Sequence, residues 1–401
     1  LFLYPILMKT IISNFLFFLI SFHLIAQDST ITTKTLDKKP HYATVELKYH
    51  RDGFPSNGSN LDDFLTSAKA NALEMRFGIS TYGKRAWQKT WKFPTYGIGF
   101  YQTDWEATQY LGNPSAIFVF FNAPLIGAQK KFSFHYDIGI GVAYNFLAYN
   151  PETNPENDLI GSDVNVYLNF RGELNYELSN RLNADFGIGW THFSNGRTRT
   201  PNIGVNMIGL DLGMKYHFRP SKKELYTSEN FKPELLSPET GDFSPFWEYS
   251  STVSGGWRTS SNDVNSKKIY GVGSLAFEAN RHYGNIGKYG IGFDIFYDSG
   301  LVEEFPEGTS NSEFIYTGIN FGHQLKIQKF TFITQLGVYL QDKPEKGKIY
   351  TRFALRYDIV KNLYIRGGLK TLNGFAADFI EWGIGYSIFG KGYNTQIQQF
   401  R

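Results

Sequence analysis

No cysteine occurs anywhere in the chain, so disulfides, a thiol nucleophile and thiolate metal sites are excluded. Charge is scarce: Asp, Glu, Lys and Arg together make up 19% of 401 residues, and a net +3 gives no basis for nucleic acid as a partner. Long apolar runs are scarce too. A helical membrane span needs about 20 consecutive apolar residues, and a mean hydropathy of −0.31 excludes a bundle of them. What the chain has in excess is aromatic rings and glycine, with 36 Phe, 26 Tyr and 40 Gly. That balance fits a membrane β-barrel, in which only alternate residues meet lipid and mean hydropathy stays modest.

The one extended apolar run covers residues 15–26, FLFFLISFHLIA, with Lys9 before it and Gln27-Asp28 after it. A basic start, a short apolar centre and a small residue at its end read as a secretory signal peptide over residues 1–26, with translation starting at Met8. The run is too short to cross a bilayer as a helix. A polar lead over 27–40 follows. Export of a β-rich chain without cysteine points to the bacterial outer membrane.

From there the apolar pattern has period two. It predicts strands over 41–50, 70–81, 95–105, 114–124, 131–146, 162–178, 181–194 and 204–218, an even number, as single-chain bacterial barrels require. Connections at 51–69, 106–113, 147–161 and 195–203 are long or irregular, whereas Ser179-Asn180 is a tight turn. The 82–94 connection is longer than a simple periplasmic turn. In the seventh strand Leu182, Ala184, Phe186, Ile188, Trp190, His192 and Ser194 share one face; in the eighth, Asn206, Ile208, Leu210, Leu212 and Met214 do. Apolar-out alternation turns both sets to lipid.

Residues 219–244 carry three prolines and read as a linker. The pattern then resumes over 245–259, 267–281, 287–299, 312–327, 330–342, 348–359, 362–371 and 377–389, before a tail at 391–401. Tyr96-Gly-Ile-Gly-Phe100 recurs at Tyr289–Phe293, and Asp211-Leu-Gly-Met-Lys-Tyr-His-Phe218 matches Glu381-Trp-Gly-Ile-Gly-Tyr-Ser-Ile388. The chain therefore reads as a duplication. The expected fold is all-β, a transmembrane antiparallel barrel built twice: eight strands over 41–218 and eight over 245–390. The alternative is a single barrel of sixteen.

The chemistry gathers at residues 191–206, THFSNGRTRTPNIGVN. A serine attacks an ester only when a base takes its proton, and the base works best when a third group orients it. His192 and Ser194 leave one strand on the same face. If the loop is symmetric about Arg199, His192 faces Asn206 directly across the hairpin, with Cβ atoms about 4.5–5.5 Å apart. That is the order of a Ser–His–Asn relay: Ser194 as nucleophile, His192 as general base and acid, Asn206 fixing the imidazole tautomer. Backbone N–H groups at Asn195 and Gly196 are the candidate oxyanion donors. A His and a Ser on a lipid-facing stripe are costly unless functional, and a site so placed expects a lipid ester as substrate. The second half has neither His nor Ser between Asn362 and Asp378, and Ala376 aligns with Asn206, so it reads as non-catalytic. Glu156, Asp158 and Asp163 read as a solvated loop, with calcium as the alternative. No cofactor or metal is otherwise indicated.

His192-Phe-Ser194-Asn195 followed by Pro201-Asn202-Ile-Gly204-Val-Asn206 resembles the lipid A 3-O-deacylase family, also labelled acyloxyacyl hydrolases. The resemblance covers residues 41–218 and implies an eight-stranded outer-membrane barrel whose last two strands carry a lipid-facing His and Ser, acting on lipid A of lipopolysaccharide. That family has Glu where this chain has Asn206, and a residue between the positions of Asn195 and Gly196. The run His192-x-Ser194-Asn195-Gly196-Arg197 with Asn206 also resembles outer-membrane phospholipase A, which implies a phospholipid substrate, calcium and a homodimer. A non-catalytic structural barrel or channel is the reading from another class. Because eight-stranded barrels are packed with side chains, a channel fits poorly.

Overall fold

The structure is a computed structural model, and it describes residues 42–391 except 83–84, 129, 220–244, 260–264, 266–267, 285, 305–310, 342–345 and 375. The expected signal peptide, the polar lead, nearly all of the linker and the tail from 392 onward lie outside the described residues.

Sixteen strands form two closed antiparallel barrels of eight. The first comprises β1 (Ala43–Gly53), β2 (Lys69–Ser80), β3 (Thr95–Trp105), β4 (Gly112–Ile126), β5 (Phe132–Phe146), β6 (Asn165–Ser179), β7 (Leu182–Ser194) and β8 (Val205–His217). The second comprises β9 (Trp247–Thr259), β10 (Ile269–His282), β11 (Gly287–Asp298), β12 (Ile315–Ile327), β13 (Phe330–Tyr339), β14 (Ile349–Asp358), β15 (Leu363–Leu372) and β16 (Ala376–Phe389). Closure is direct: β1 pairs with β8, and β9 with β16. The single barrel of sixteen is thereby excluded. The long 82–94 connection holds a short helix, α1 (Ala86–Thr90), whose Trp91 packs edge-on against Phe121.

Alternation sorts the side chains as the sequence pattern demands. On the outer faces stand Phe77, Ile98, Ile117, Ile188, Leu212, Ile291, Phe321, Leu336, Trp382 and Ile384, all exposed. The interiors are ionic. In the first barrel Arg76 bridges Asp137 through both terminal nitrogens, at 2.6 and 2.9 Å. Lys48 bonds Glu173, whose other oxygen accepts from Asn122 at 2.8 Å, and Arg171 reaches Asp211 at 2.9 Å. In the second, Glu248 gathers Lys288 (2.6 Å), Arg356 (2.7 Å) and His282 (2.7 Å). Towards the long-loop end of the first barrel the lumen fills with Tyr101, Phe118, Tyr167, Phe193, Trp105 and Phe146. An open conduit through that barrel would have to displace this aromatic cluster and the ion pairs below it.

Such buried pairs weigh most when one partner is lost. Asp137→Ala removes the partner of both Arg76 terminal nitrogens and leaves the buried guanidinium with Glu74 at Nε, and should cost about 3 kcal/mol. Urea unfolding of the protein in lipid vesicles measures this, and an unmoved midpoint would refute it.

Candidate active site

The β7–β8 hairpin carries the predicted trio. Its register runs from Leu182 opposite Tyr216 to Phe193 opposite Val205, and it sets His192 directly across from Asn206. His192 lies between its two partners: Nδ1 is 2.8 Å from Asn206 Oδ1, and Nε2 is 2.9 Å from Ser194 Oγ. Trp190, two residues earlier on the same face, adds a contact that the spacing alone does not reveal. Its indole N–H donates to the same Asn206 Oδ1 at 3.1 Å, and its ring stacks on the imidazole with centroids 5.2 Å apart.

These contacts determine the tautomer. An indole N–H can only donate, so the Asn206 atom facing it is the amide oxygen, which can only accept. His192 Nδ1 therefore carries the hydrogen, and Nε2 presents its lone pair to the Ser194 hydroxyl. Although the trio stands on the lipid-facing side, it is not open to lipid throughout. Ser194 is 8% exposed, while Ile188, further down the same stripe, is 58% exposed.

The loop beyond Ser194 is tied from three directions. The Asn195 N–H donates to Asn202 Oδ1 at 2.8 Å, and the Asn195 side-chain amide donates to Ser162 Oγ at 3.0 Å. Gly204 N–H donates to Leu159 O at 2.9 Å, and Asn57 Nδ2 reaches Gly204 O at 3.1 Å. The expectation that Asn195 N–H serves an oxyanion therefore meets a competitor, since Asn202 already holds that hydrogen. Asn202 is the residue that spacing missed. Its place in Pro201-Asn202-Ile203-Gly204 was visible, but its role depends on a contact across the loop.

Gly204 has no substitute here. Its φ is +89°, and a Cβ there would come 2.8 Å from His192 Cε1, so the imidazole sits where a side chain would be. Asp158 is engaged with the Ser59 hydroxyl and with Asn60 N–H at 2.8 Å, joining two outer loops. Among the described residues, no group of three or more His, Asp or Glu could hold a metal ion.

The same three residue types meet once more, inside the first barrel. There His135 bonds Ser133 and Asn122, each at 2.8 Å, but Asn122 also donates to Asp137 at 3.1 Å and to Glu173. That trio is a node of the lumenal ion network. In the second barrel Leu372 stands opposite Ala376 at the place of the His192–Asn206 pair. Its histidines are placed otherwise, with His282 in the lumen on Glu248 and His323 on Tyr283.

Comparison with known proteins now adds to this geometry. A family model described as lipid A 3-O-deacylase (PagL) matches residues 71–215, and one described as acyloxyacyl hydrolase, C-terminal domain, matches residues 247–391. The chain belongs to the lipid A 3-O-deacylase family. Membership supports lipid A deacylation in the outer membrane as its function, with lipid A as substrate. Solved structures similar to it include Neisserial surface protein A (11% identity, TM-score 0.30, covering 44% of this chain and 96% of that one). A triple mutant of the Rhodopseudomonas blastica porin (8%, TM-score 0.20, covering 86% and 99%) and OccK11 of Pseudomonas aeruginosa (10%, TM-score 0.22, covering 87% and 96%) are others. No curated protein matches the chain.

For this deacylase-family chain the Gly204 contact gives a direct test. Gly204→Ala should displace the imidazole and slow fluorophosphonate labelling of Ser194 by about a hundredfold, the scale of a lost general base. Heat-modified gel migration should stay unchanged, which separates the effect from misfolding.

Proposed function

We propose that the chain is an outer-membrane serine esterase that cleaves an ester-linked acyl chain from lipid A through Ser194, His192 and Asn206. The observation that carries this reading is the pair of hydrogen bonds on His192, at 2.8 and 2.9 Å, with the accepting nitrogen turned to Ser194.

Ser194 Oγ attacks the ester carbonyl carbon while its proton passes to His192 Nε2. The resulting imidazolium is oriented by Asn206 Oδ1, a neutral acceptor that stabilises it less than a carboxylate would. As the tetrahedral intermediate collapses, the carbon–oxygen bond to the sugar breaks and His192 gives its proton to the leaving hydroxyl. Water, deprotonated by His192, then hydrolyses the acyl-enzyme and releases a fatty acid. The negative charge on the carbonyl oxygen needs donors that no other group holds. Gly196 N–H remains a candidate donor. The Asn202 side-chain NH2 joins it, because its own oxygen is anchored by Asn195 N–H and its hydrogens are thereby turned away from that bond. No cofactor enters this scheme.

The run Ser194 to Arg197 and the amide at 206 favour a second reading, hydrolysis of phospholipid with calcium. Mass spectrometry of lipid A and phospholipids from cells bearing the intact protein or Ser194→Ala separates the two. A hydroxyacyl chain lost only with the intact protein is the expected result, with a rate that a calcium chelator leaves unaltered. Lysophospholipid release would replace the deacylase reading with the phospholipase one, and identical lipids in both strains would sink both. Asn206→Glu should raise the rate, since a carboxylate would accept from both Trp190 and His192 while stabilising the imidazolium.

A further inference from the structure

The active-site loop of the first barrel also touches the second barrel, at the residues that follow the nucleophile. Thr259 N–H, at the end of β9, donates to Arg197 O at 3.2 Å. The Thr259 and Thr200 hydroxyls lie 3.4 Å apart. A Cβ on Gly196 would come 2.4 Å from Ile380 Cγ1 and 3.5 Å from Leu369 Cδ1. Arg197 Nη1 lies 3.8 Å from Asp378 Oδ1, a carboxylate already held by Lys346 at 2.7 Å and Lys370 at 2.6 Å.

Burial on the second barrel agrees with these distances. Ile380 shares the outer face of β16 with Trp382, Ile384, Tyr386 and Ile388, which are 53–65% exposed. Ile380 itself is only half-exposed, as is Leu369 beside it. The loop of the first barrel covers them. Among the described residues the barrels also meet where Tyr149 Oη donates to Asn265 at 2.9 Å and Trp91 Nε1 donates to Lys326 O at 3.3 Å.

We propose that the second barrel is a positioning element for the reaction of the first, holding the Gly196–Arg197 turn through Thr259 and Ile380 so that Gly196 N–H faces the developing oxyanion. This rests on the esterase reading above. Gly196 and Arg197 have φ of 63° and 67°, and a non-glycine residue in that region persists only where its surroundings impose it. Within the first barrel the loop is fixed from Asn202 to Gly204 and at Asn195, whose O accepts from Thr198 N–H at 3.3 Å and from the Thr198 hydroxyl at 3.0 Å and whose Oδ1 accepts from Arg199 N–H at 3.3 Å. Gly196 and Arg197 O are met from the second barrel as well. Among its contacts the ion pair ranks last, since 3.8 Å to a carboxylate already shared by two lysines is weak. The backbone hydrogen bond to Arg197 O and the packing of Ile380 against Gly196 add to the turn's own bonds to Asn195 and fix where it points. The closing strands of the second barrel thus lack a catalytic trio of their own and bear on their neighbour's.

The test uses the full-length protein, whose lack of native cysteine makes an introduced pair unambiguous. Thr200→Cys with Thr259→Cys should form a disulfide on oxidation in intact outer membranes, a readout independent of activity; failure to cross-link overturns the docking. Ile380→Asp should lower kcat about tenfold with little change in KM, both barrels still migrating as folded, and Ile380→Ala should lower it less. Oxidising the cysteine pair in the Ile380→Asp background should restore most of the lost rate, which a merely structural role for Ile380 would not predict. A kcat unchanged by Ile380→Asp, or a loss that the cross-link does not rescue, overturns the positioning role. Fluorophosphonate labelling of Ser194 gives the same comparison if lipid A is not the substrate, so the two proposals fail separately.

Discussion

Everything here follows from the need to satisfy each backbone N–H and C=O inside hydrocarbon, where water cannot take over a missing partner. A sheet meets that need only by closing on itself, and this chain closes after eight strands, twice. Closure at eight leaves an interior only wide enough for side chains. Ion pairs such as Arg76–Asp137 and Arg352–Asp294 occupy it, so polar chemistry with access to a lipid substrate has to stand on the outside. A His–Ser–Asn cluster on the apolar face is therefore an exception to the rule that builds the barrel. The lumenal cluster of His135, Ser133 and Asn122, equally well bonded, obeys that rule.

The outer cluster survives among apolar neighbours because its polar atoms saturate one another. Asn206 Oδ1 accepts from both His192 and Trp190, and His192 spends both ring nitrogens within the trio. The indole ring lies against the imidazole and covers one of its faces. What is left to react is the Ser194 hydroxyl, whose hydrogen already points at the base. The same three contacts satisfy the cluster in an apolar setting and underlie the acyl transfer proposed for it.

Much of this was legible in the sequence because β-structure encodes its faces with period two. Strand limits fell within a few residues of the observed ones, and the symmetry of the loop about Arg199 was enough to oppose His192 and Asn206. What stayed hidden depends on contacts with no period. Trp190 read as one more lipid-facing aromatic until its N–H was seen to share the Asn206 oxygen. Asn202 acts across the loop, Ser162 reaches Asn195 from another loop, and Ile380 reaches Gly196 from the other barrel. Helix α1 was hidden differently, since a five-residue helix is too short to leave an amphipathic signature.

The even number of strands in each barrel has a consequence for how such a chain can be enlarged. Parity returns the polypeptide to the membrane face from which it set out, and the bond from Trp91, in the connection on that face, to Lys326 near the end of β12 puts His217 and Trp247 on one side. A whole barrel can then be appended without any new segment traversing the bilayer, and without opening the seam between β1 and β8. Once appended with the same polarity, its loops emerge beside those of the original. A copied barrel is thus already placed beside its neighbour's loops, and odd parity would have sent it out on the opposite face.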